Sequence, residues 1–164
     1  MEIRFGIITA SDRSHLGVRD DLTTPAVAEE ISSQGWILVK NTVISDDLEI
    51  IKKTLFSWLS MKDLDVILTT GGTGFSPRDN TPEATLAVIE REAPGISEGM
   101  RYRSLEFTPH AMLSRGVAGI HGRVLIINLP GSPKAAVENF RIIQPILHHA
   151  VELINNDENA EKHH

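Results

Sequence analysis

The chain has 164 residues, 41% hydrophobic and 23% charged, with a formal net charge of −6 and no cysteine. Its length suits one domain with a sizeable core, and its composition is that of a soluble globular protein rather than a disordered one. The negative charge argues against tracking nucleic acid by bulk electrostatics, and the missing cysteines exclude disulfides and thiolate metal sites, which fits a reducing compartment. Residues 3–9, "IRFGIIT", are short, apolar and β-rich, so they predict a buried strand. "TTPAVAEEISSQG" then predicts a helix, with Thr24 as cap, Pro25 at its first position and Gly35 as its stop. Residues 36–44 predict a second strand. An amphipathic helix follows, with Leu48, Ile51, Leu55, Trp58 and Leu59 at helical spacing. Residues 65–70 predict a third strand, and Thr81, Pro82 and Glu83 open another helix. Residues 117–129 predict a hairpin turning at Gly122, and Ser132 and Pro133 start a last helix that is expected to bend near Pro145.

This alternation predicts an α/β fold: a single three-layer, Rossmann-like domain with a mostly parallel sheet and helices on both faces. The domain is expected over residues 1–155, and the polar stretch 156–164 as a flexible tail. The N-terminus enters an apolar run directly, without an export signal. No apolar stretch approaches the roughly 20 residues of a membrane span, so a cytoplasmic protein is expected.

In open parallel sheets, ligands bind beyond the carboxyl ends of the strands. Four loops follow strands here, "ASDRS", "SDD", "GGTGFSPRD" and "PGSPK", and all four are expected on one rim. Gly71, Gly72 and Gly74 allow positive φ and exposed N–H groups, which suit a phosphate beside a helix N-terminus. A plain tight turn is the alternative. The loop is neither a Walker A motif nor a dinucleotide fingerprint. Asp79 beside such a cradle repels phosphate unless a cation such as Mg²⁺ lies between them. Asp46 and Asp47 end the second strand and offer a second carboxylate, or they cap the next helix with Ser45. Asp79 alternatively ties up the glycine loop through backbone N–H groups, and Arg78 either holds an anion or is a surface charge. "SDRS", followed by Asp20 and Asp21, is a polar loop; "LPGSPK" puts a glycine and a capping serine at a helix start. The histidines, His148 and His149 included, are scattered along the sequence, and no zinc site is expected. No GxSxG nucleophile elbow occurs.

"LTTGGTGFSPRDNTPEAT" together with "LIINLPGSPKA" closely resembles the molybdenum cofactor biosynthesis proteins of the MogA/MoaB type, a group that includes the G domain of gephyrin and its plant counterpart. "SDR", "DDLEIIKKTL", "EREAPGISEGMR" and "FTPHAMLSRGVAGIHGR" occur in the expected order, so the resemblance spans nearly the whole chain. It implies a molybdopterin-binding α/β domain, usually a homotrimer, that uses Mg²⁺ and ATP to transfer AMP to molybdopterin and releases pyrophosphate. It implies hand-over of the product to a molybdenum insertase. Its catalytic and metal-binding aspartates match Asp46 and Asp79. Its molybdopterin and phosphate contacts match Thr70, Gly71, Gly72, Thr73, Gly74, Ser76, Arg78, Pro130, Gly131 and Ser132, and its nucleotide contacts match Ser11, Asp12 and Arg13. The segment holding Asp20 and Asp21 varies in that group, so neither is given a role. Two alternatives stay open. One is a non-catalytic molybdopterin-binding scaffold. The other is a competence-damage-type nucleotide pyrophosphatase, although those domains read TGGLGPT with paired aspartates where this chain reads TGGTGFSPRDN. Met100, Tyr102, Leu105, Phe107, Met112 and Leu113 lie either in the core or against a neighbouring subunit.

Overall fold

The computed structural model describes residues 1–155; the expected tail, with the two terminal histidines, lies outside the described residues. The elements run β1 (Arg4–Ala10), α1 (Asp12–His15), α2 (Thr23–Ser33), β2 (Ile37–Ile44), α3 (Leu48–Met61), β3 (Val66–Thr70), α4 (Thr81–Val88), β4 (Arg91–Glu92), α5 (Pro94–Ser104), a 3-10 helix (Pro109–Leu113), β5 (Ala118–His121), β6 (Val124–Leu129) and α6 (Pro133–Ile154). They form one six-stranded sheet in the order β2-β1-β3-β6-β5-β4. The pairs β2–β1, β1–β3 and β3–β6 are parallel; β6–β5 and β5–β4 are antiparallel.

Strands β3 and β6 are buried along their whole length. That explains their nearly unbroken apolar sequences, since a parallel strand covered on both faces needs no polar side. Successive side chains still alternate between layers. Phe5, Ile7, Val66, Leu68, Leu125 and Ile127 pack with α2, α5 and α6, whereas Ile8, Ile67, Val124 and Ile126 pack with α3 and α4. Each fully buried Ile, Leu or Phe here contributes about 1.5–3 kcal/mol relative to exposure. Among the described residues no helix is long and apolar enough to cross a membrane.

One local expectation needs correction. Thr24 does not cap α2: it lies inside the first turn, and the Asp21 carboxylate accepts the N–H groups of Thr23 and Thr24 at 3.0 and 3.1 Å. A carboxylate just ahead of the helix captures the orphan donors more directly than a hydroxyl within it. Met100 belongs to the core, while Tyr102, Leu105, Phe107, Met112 and Leu113 are exposed. Helix α6 continues through Pro145 as a single element.

Candidate functional site

The four parallel strands present their carboxyl ends, and the loops that follow them, on one rim. Those loops and the segment before α2 enclose a cavity of about 490 Å³. The glycine loop after β3 sits at its centre, with Gly71 at φ +87° and Gly72 at φ +66°. A Cβ on Gly71 would lie 2.5 Å from the Ala10 carbonyl oxygen, so the backbone of this loop rests directly on the end of β1. A Cβ on Gly72 would lie 2.4 Å from Thr81 Oγ1 and 3.3 Å from Asp46 Oδ1. Gly72 therefore leaves the space next to those two oxygens open, and the buried Thr81 hydroxyl has no hydrogen-bond partner among the described residues.

Arg115 braces the loop from behind. Its Nε donates to Gly74 O at 2.7 Å, its Nη2 donates to Asp79 O at 2.8 Å, and it pairs with Glu83. The hydrogen bond to this guanidinium holds the Glu83 carboxyl below its ordinary range.

The aspartates are arranged in two kinds. Asp47 is a helix cap: its Oδ1 accepts the N–H groups of Glu49 and Ile50 at 3.0 and 3.1 Å. Asp46 and Asp12 are cross-linked. Asp46 Oδ2 accepts the Asp12 N–H at 2.8 Å, and Asp12 Oδ1 accepts the Asp46 N–H at 3.0 Å. Asp79 Oδ2 accepts the Ser76 N–H at 3.0 Å, so the loop-tying role expected as an alternative is present. Asp46 and Asp79 both line the cavity, and each keeps its Oδ1 free of hydrogen bonds among the described residues. Burial pushes the Asp46 carboxyl above its ordinary range, and the charges of Asp12 and Asp79 add to the effect. The Ser45 hydroxyl, the Asp46 N–H and Arg78 hold Asp12 below its ordinary range.

A pair of unengaged carboxylate oxygens that repel one another is a fitting start for Mg²⁺, which takes one or two protein carboxylates and completes its octahedron with water and substrate phosphate. No group of three or more His, Cys, Asp or Glu ligands occurs among the described residues, so the protein alone forms no complete cage. Asp46 and Asp79 are the residues that could hold such an ion.

Asp21 also belongs to a hydroxyl chain. Thr9 Oγ1 lies 3.0 Å from Thr24 Oγ1, 2.9 Å from Thr70 Oγ1 and 3.3 Å from Asp21 Oδ2. Thr23 Oγ1 donates to Gly131 O at 2.7 Å, which ties the loop after β6 to the start of α2.

A second cavity, of about 270 Å³, lies across the glycine loop between α5, the 3-10 helix and α6. Of the residues singled out from sequence, Ser11, Asp46, Thr70, Gly71, Gly72, Asp79, Gly131 and Ser132 line the first cavity. Thr73, Gly74 and Pro130 line the second. Asp12, Arg13, Ser76 and Arg78 line neither. Arg78 turns its guanidinium onto Asp12, with Nε and Nη2 each 3.0 Å from a carboxylate oxygen. In this arrangement it joins two loops through its Nε–Nη2 edge and keeps Nη1 free of hydrogen bonds among the described residues. Sequence reasoning missed Arg19 in the first cavity, Arg115 behind the loop, and Arg101, Ser104 and Asn139 around the second cavity. Arg19 directly precedes the Asp20–Asp21 pair, which was the available signal; the others carry none, and the walls of the second cavity come together only in the fold.

The family described as "Probable molybdopterin binding domain" matches residues 6–149. The chain is 40% identical to a molybdopterin adenylyltransferase of Helicobacter pylori, over 93% of this chain and 88% of that one. It is 43% identical to the molybdenum cofactor synthesis protein cinnamon of Drosophila melanogaster over 94% of its own length, but it spans only 26% of that longer protein. The structure of the molybdopterin biosynthesis enzyme MoaB from Thermus thermophilus superposes with a TM-score of 0.89 at 46% identity, covering 94% of this chain and 98% of that one. A CinA protein from Thermoplasma acidophilum superposes with a TM-score of 0.66 at 17% identity, over 89% of this chain and 98% of that one, which is a likeness of fold alone.

Proposed function

Since this chain belongs to the molybdopterin-binding domain family, we propose that it is a molybdopterin adenylyltransferase of molybdenum cofactor biosynthesis. In this reading the terminal phosphate of molybdopterin attacks the α-phosphorus of ATP, the Pα–O–Pβ bond breaks, AMP is transferred and pyrophosphate leaves. The observation that carries it is the pair of unengaged oxygens on Asp46 and Asp79, set in one cavity beside a glycine loop with positive φ.

The nucleophile is a phosphate monoester, largely ionised near neutral pH because its second pKa is about 6. No strong general base is needed. The task is to align two anions and to stabilise charge on the leaving group. The N–H groups of the glycine loop hold the pterin phosphate. Asp46 and Asp79 are the residues that would hold Mg²⁺, and the ion would supply neutralisation of phosphate charge. Arg115 keeps the loop in shape from outside the cavity. The second cavity, walled by Met100, Leu113, Ser104 and Asn139, takes the organic body of the pterin.

Incubation with molybdopterin, ATP and Mg²⁺ tests the proposal: adenylylated molybdopterin and pyrophosphate are the expected products. Pterin binding without turnover supports the scaffold reading instead, and nucleotide cleavage that needs no pterin supports the pyrophosphatase reading. We also propose a homotrimer in the cytoplasm that hands its product to an insertase. The exposed Tyr102, Phe107 and Met112 support the assembly, since aromatic residues and Met are enriched at interfaces. A sedimentation mass near the 18.1 kDa of one chain would sink that part alone.

A further inference from the structure

The walls of the carboxylate cavity carry Asp20, Asp21, Asp46 and Asp79, yet a single cation, Arg19. Among the described residues its guanidinium makes no hydrogen bond and no ion pair, although two aspartates follow it directly in sequence. The neighbouring cations are committed elsewhere or lie outside. Arg78 is held by Asp12, Arg115 is held by Glu83 and loop carbonyls, and Arg13 lines neither cavity. The backbone at Arg19 is nonetheless fixed. The N–H groups of Val18 and Arg19 donate to Arg13 O at 2.9 and 3.2 Å, and Gly17, at φ +73°, makes the turn between them possible. A held backbone with an unengaged guanidinium, in a cavity otherwise walled by carboxylates, is poised for an anion that arrives from outside.

We propose that Arg19 grips the polyphosphate of the nucleotide. The inference rests on the adenylyltransferase reading and extends it to a residue to which the family resemblance gave no role. A nucleoside triphosphate carrying one divalent ion is still anionic, and four carboxylates repel it further. A guanidinium offers a planar pair of donors that matches two phosphate oxygens. Arg19 lines the cavity with the two metal-suited aspartates and not the cavity across the glycine loop; the pterin phosphate has the glycine-loop N–H groups, which leaves Arg19 for the polyphosphate, and separate KM values distinguish the two anions.

The test compares wild type, Arg19→Gln and Arg19→Lys. Calorimetry measures Mg·ATP binding without pterin, and steady-state assays measure KM for ATP and for molybdopterin separately. Arg19→Gln is expected to weaken Mg·ATP binding and raise KM for ATP by about tenfold or more, the scale of a lost charge-assisted hydrogen bond. KM for molybdopterin and the unfolding temperature stay at wild-type values, and Arg19→Lys recovers part of the loss. Unchanged Mg·ATP affinity, or an equal rise in both KM values, overturns the proposal. If wild type adenylylates molybdopterin while Arg19→Gln keeps the wild-type KM for ATP, Arg19 fails and the function stands. If wild type binds Mg·ATP in an Arg19-dependent way but makes no adenylylated pterin, Arg19 stands and the function fails. Wild type that binds no Mg·ATP overturns both.

Discussion

On one side of the glycine loop the cavity walls carry Asp20, Asp21, Asp46, Asp79 and Arg19; on the other they carry Met100, Leu113, Ser104, Asn128 and Asn139. The loop is a partition, with Gly71 and Gly72 on one cavity and Thr73 and Gly74 on the other, between a compartment suited to metal and phosphate and one suited to a flat heterocycle with amide-like edges. The polar side chains of the second compartment are partly spoken for. Asn128 donates to Thr69 and Thr85 and accepts the Val117 N–H, so it fixes the wall. Asn139 donates to Ala135 O and faces Ser104 Oγ at 3.4 Å, a weaker set that leaves it more able to serve a ligand. The contrast teaches that one loop divides a cavity walled mainly by carboxylates from one in which Arg101 and Glu138 accompany apolar and amide side chains, with the reacting phosphates expected where the two compartments meet.

The strongest way to break this division is to remove a carboxylate. Asp79→Asn or Asp46→Asn is expected to lower turnover by about 10²-fold or more, the scale of one lost electrostatic stabiliser. Molybdopterin binding, measured by calorimetry, stays close to wild type. Near-normal adenylylation by both variants would show that the aspartates only hold the loops. Asp46 adds a pH signature. Its carboxyl is raised above the unfolded value by burial and by Asp12 and Asp79. Its contribution to stability is therefore present below the unfolded pKa and lost as pH rises through the folded one. Metal-free wild type is expected to lose unfolding temperature relative to Asp46→Asn over that rise, and Mg²⁺ with ATP is expected to restore it in wild type alone. Parallel curves would remove the repulsion from the account.

On the other side of the partition, Ala111→Trp puts a large ring into the second cavity. Molybdopterin affinity is expected to fall about tenfold or more while Mg·ATP affinity holds. Loss of both affinities would mean that the compartments are not separate. The partition itself is probed by Gly72→Ala, which forces a side chain at φ +66° against Thr81. Denaturant unfolding is expected to show a loss of about 1–3 kcal/mol. The clash lies on the Thr81 side, so this variant reports on the seating of the loop more than on phosphate approach. The smallest effect belongs to Asp47→Ala. Losing the α3 cap costs about 1 kcal/mol of stability with turnover kept, which separates Asp47 from its neighbour Asp46.

Sequence alone carried the fold and the rim far because both rest on local patterns. Alternating strands and helices, a proline at a helix start and glycines after a strand are legible one segment at a time. Which of Asp46 and Asp47 caps α3 was not legible, because adjacent aspartates differ only in the direction that the backbone gives them. Arg78 reads as an anion ligand or a surface charge until Asp12, 66 residues earlier, is seen to take its Nε–Nη2 edge. Asp21 displaces Thr24 as the cap of α2 for a similar reason, since both are capping types and only the turn chooses. The second cavity left no motif at all: Met100, Leu113, Asn128 and Asn139 come from separate elements that the fold brings together.

Strand β6 is the last strand in sequence yet sits inside the sheet, between β3 and β5. A nascent chain that ends before Val124 therefore leaves one edge of β3 unpaired and the β4–β5 pair without its bridge. It also lacks the loop carrying Gly131, whose carbonyl anchors Thr23. The carboxylate cavity then lacks the wall formed by Gly131, Ser132 and Pro133. Chaperone demand during synthesis is expected to peak while residues 66–70 wait for their partner, because an apolar strand with an open edge is an aggregation template.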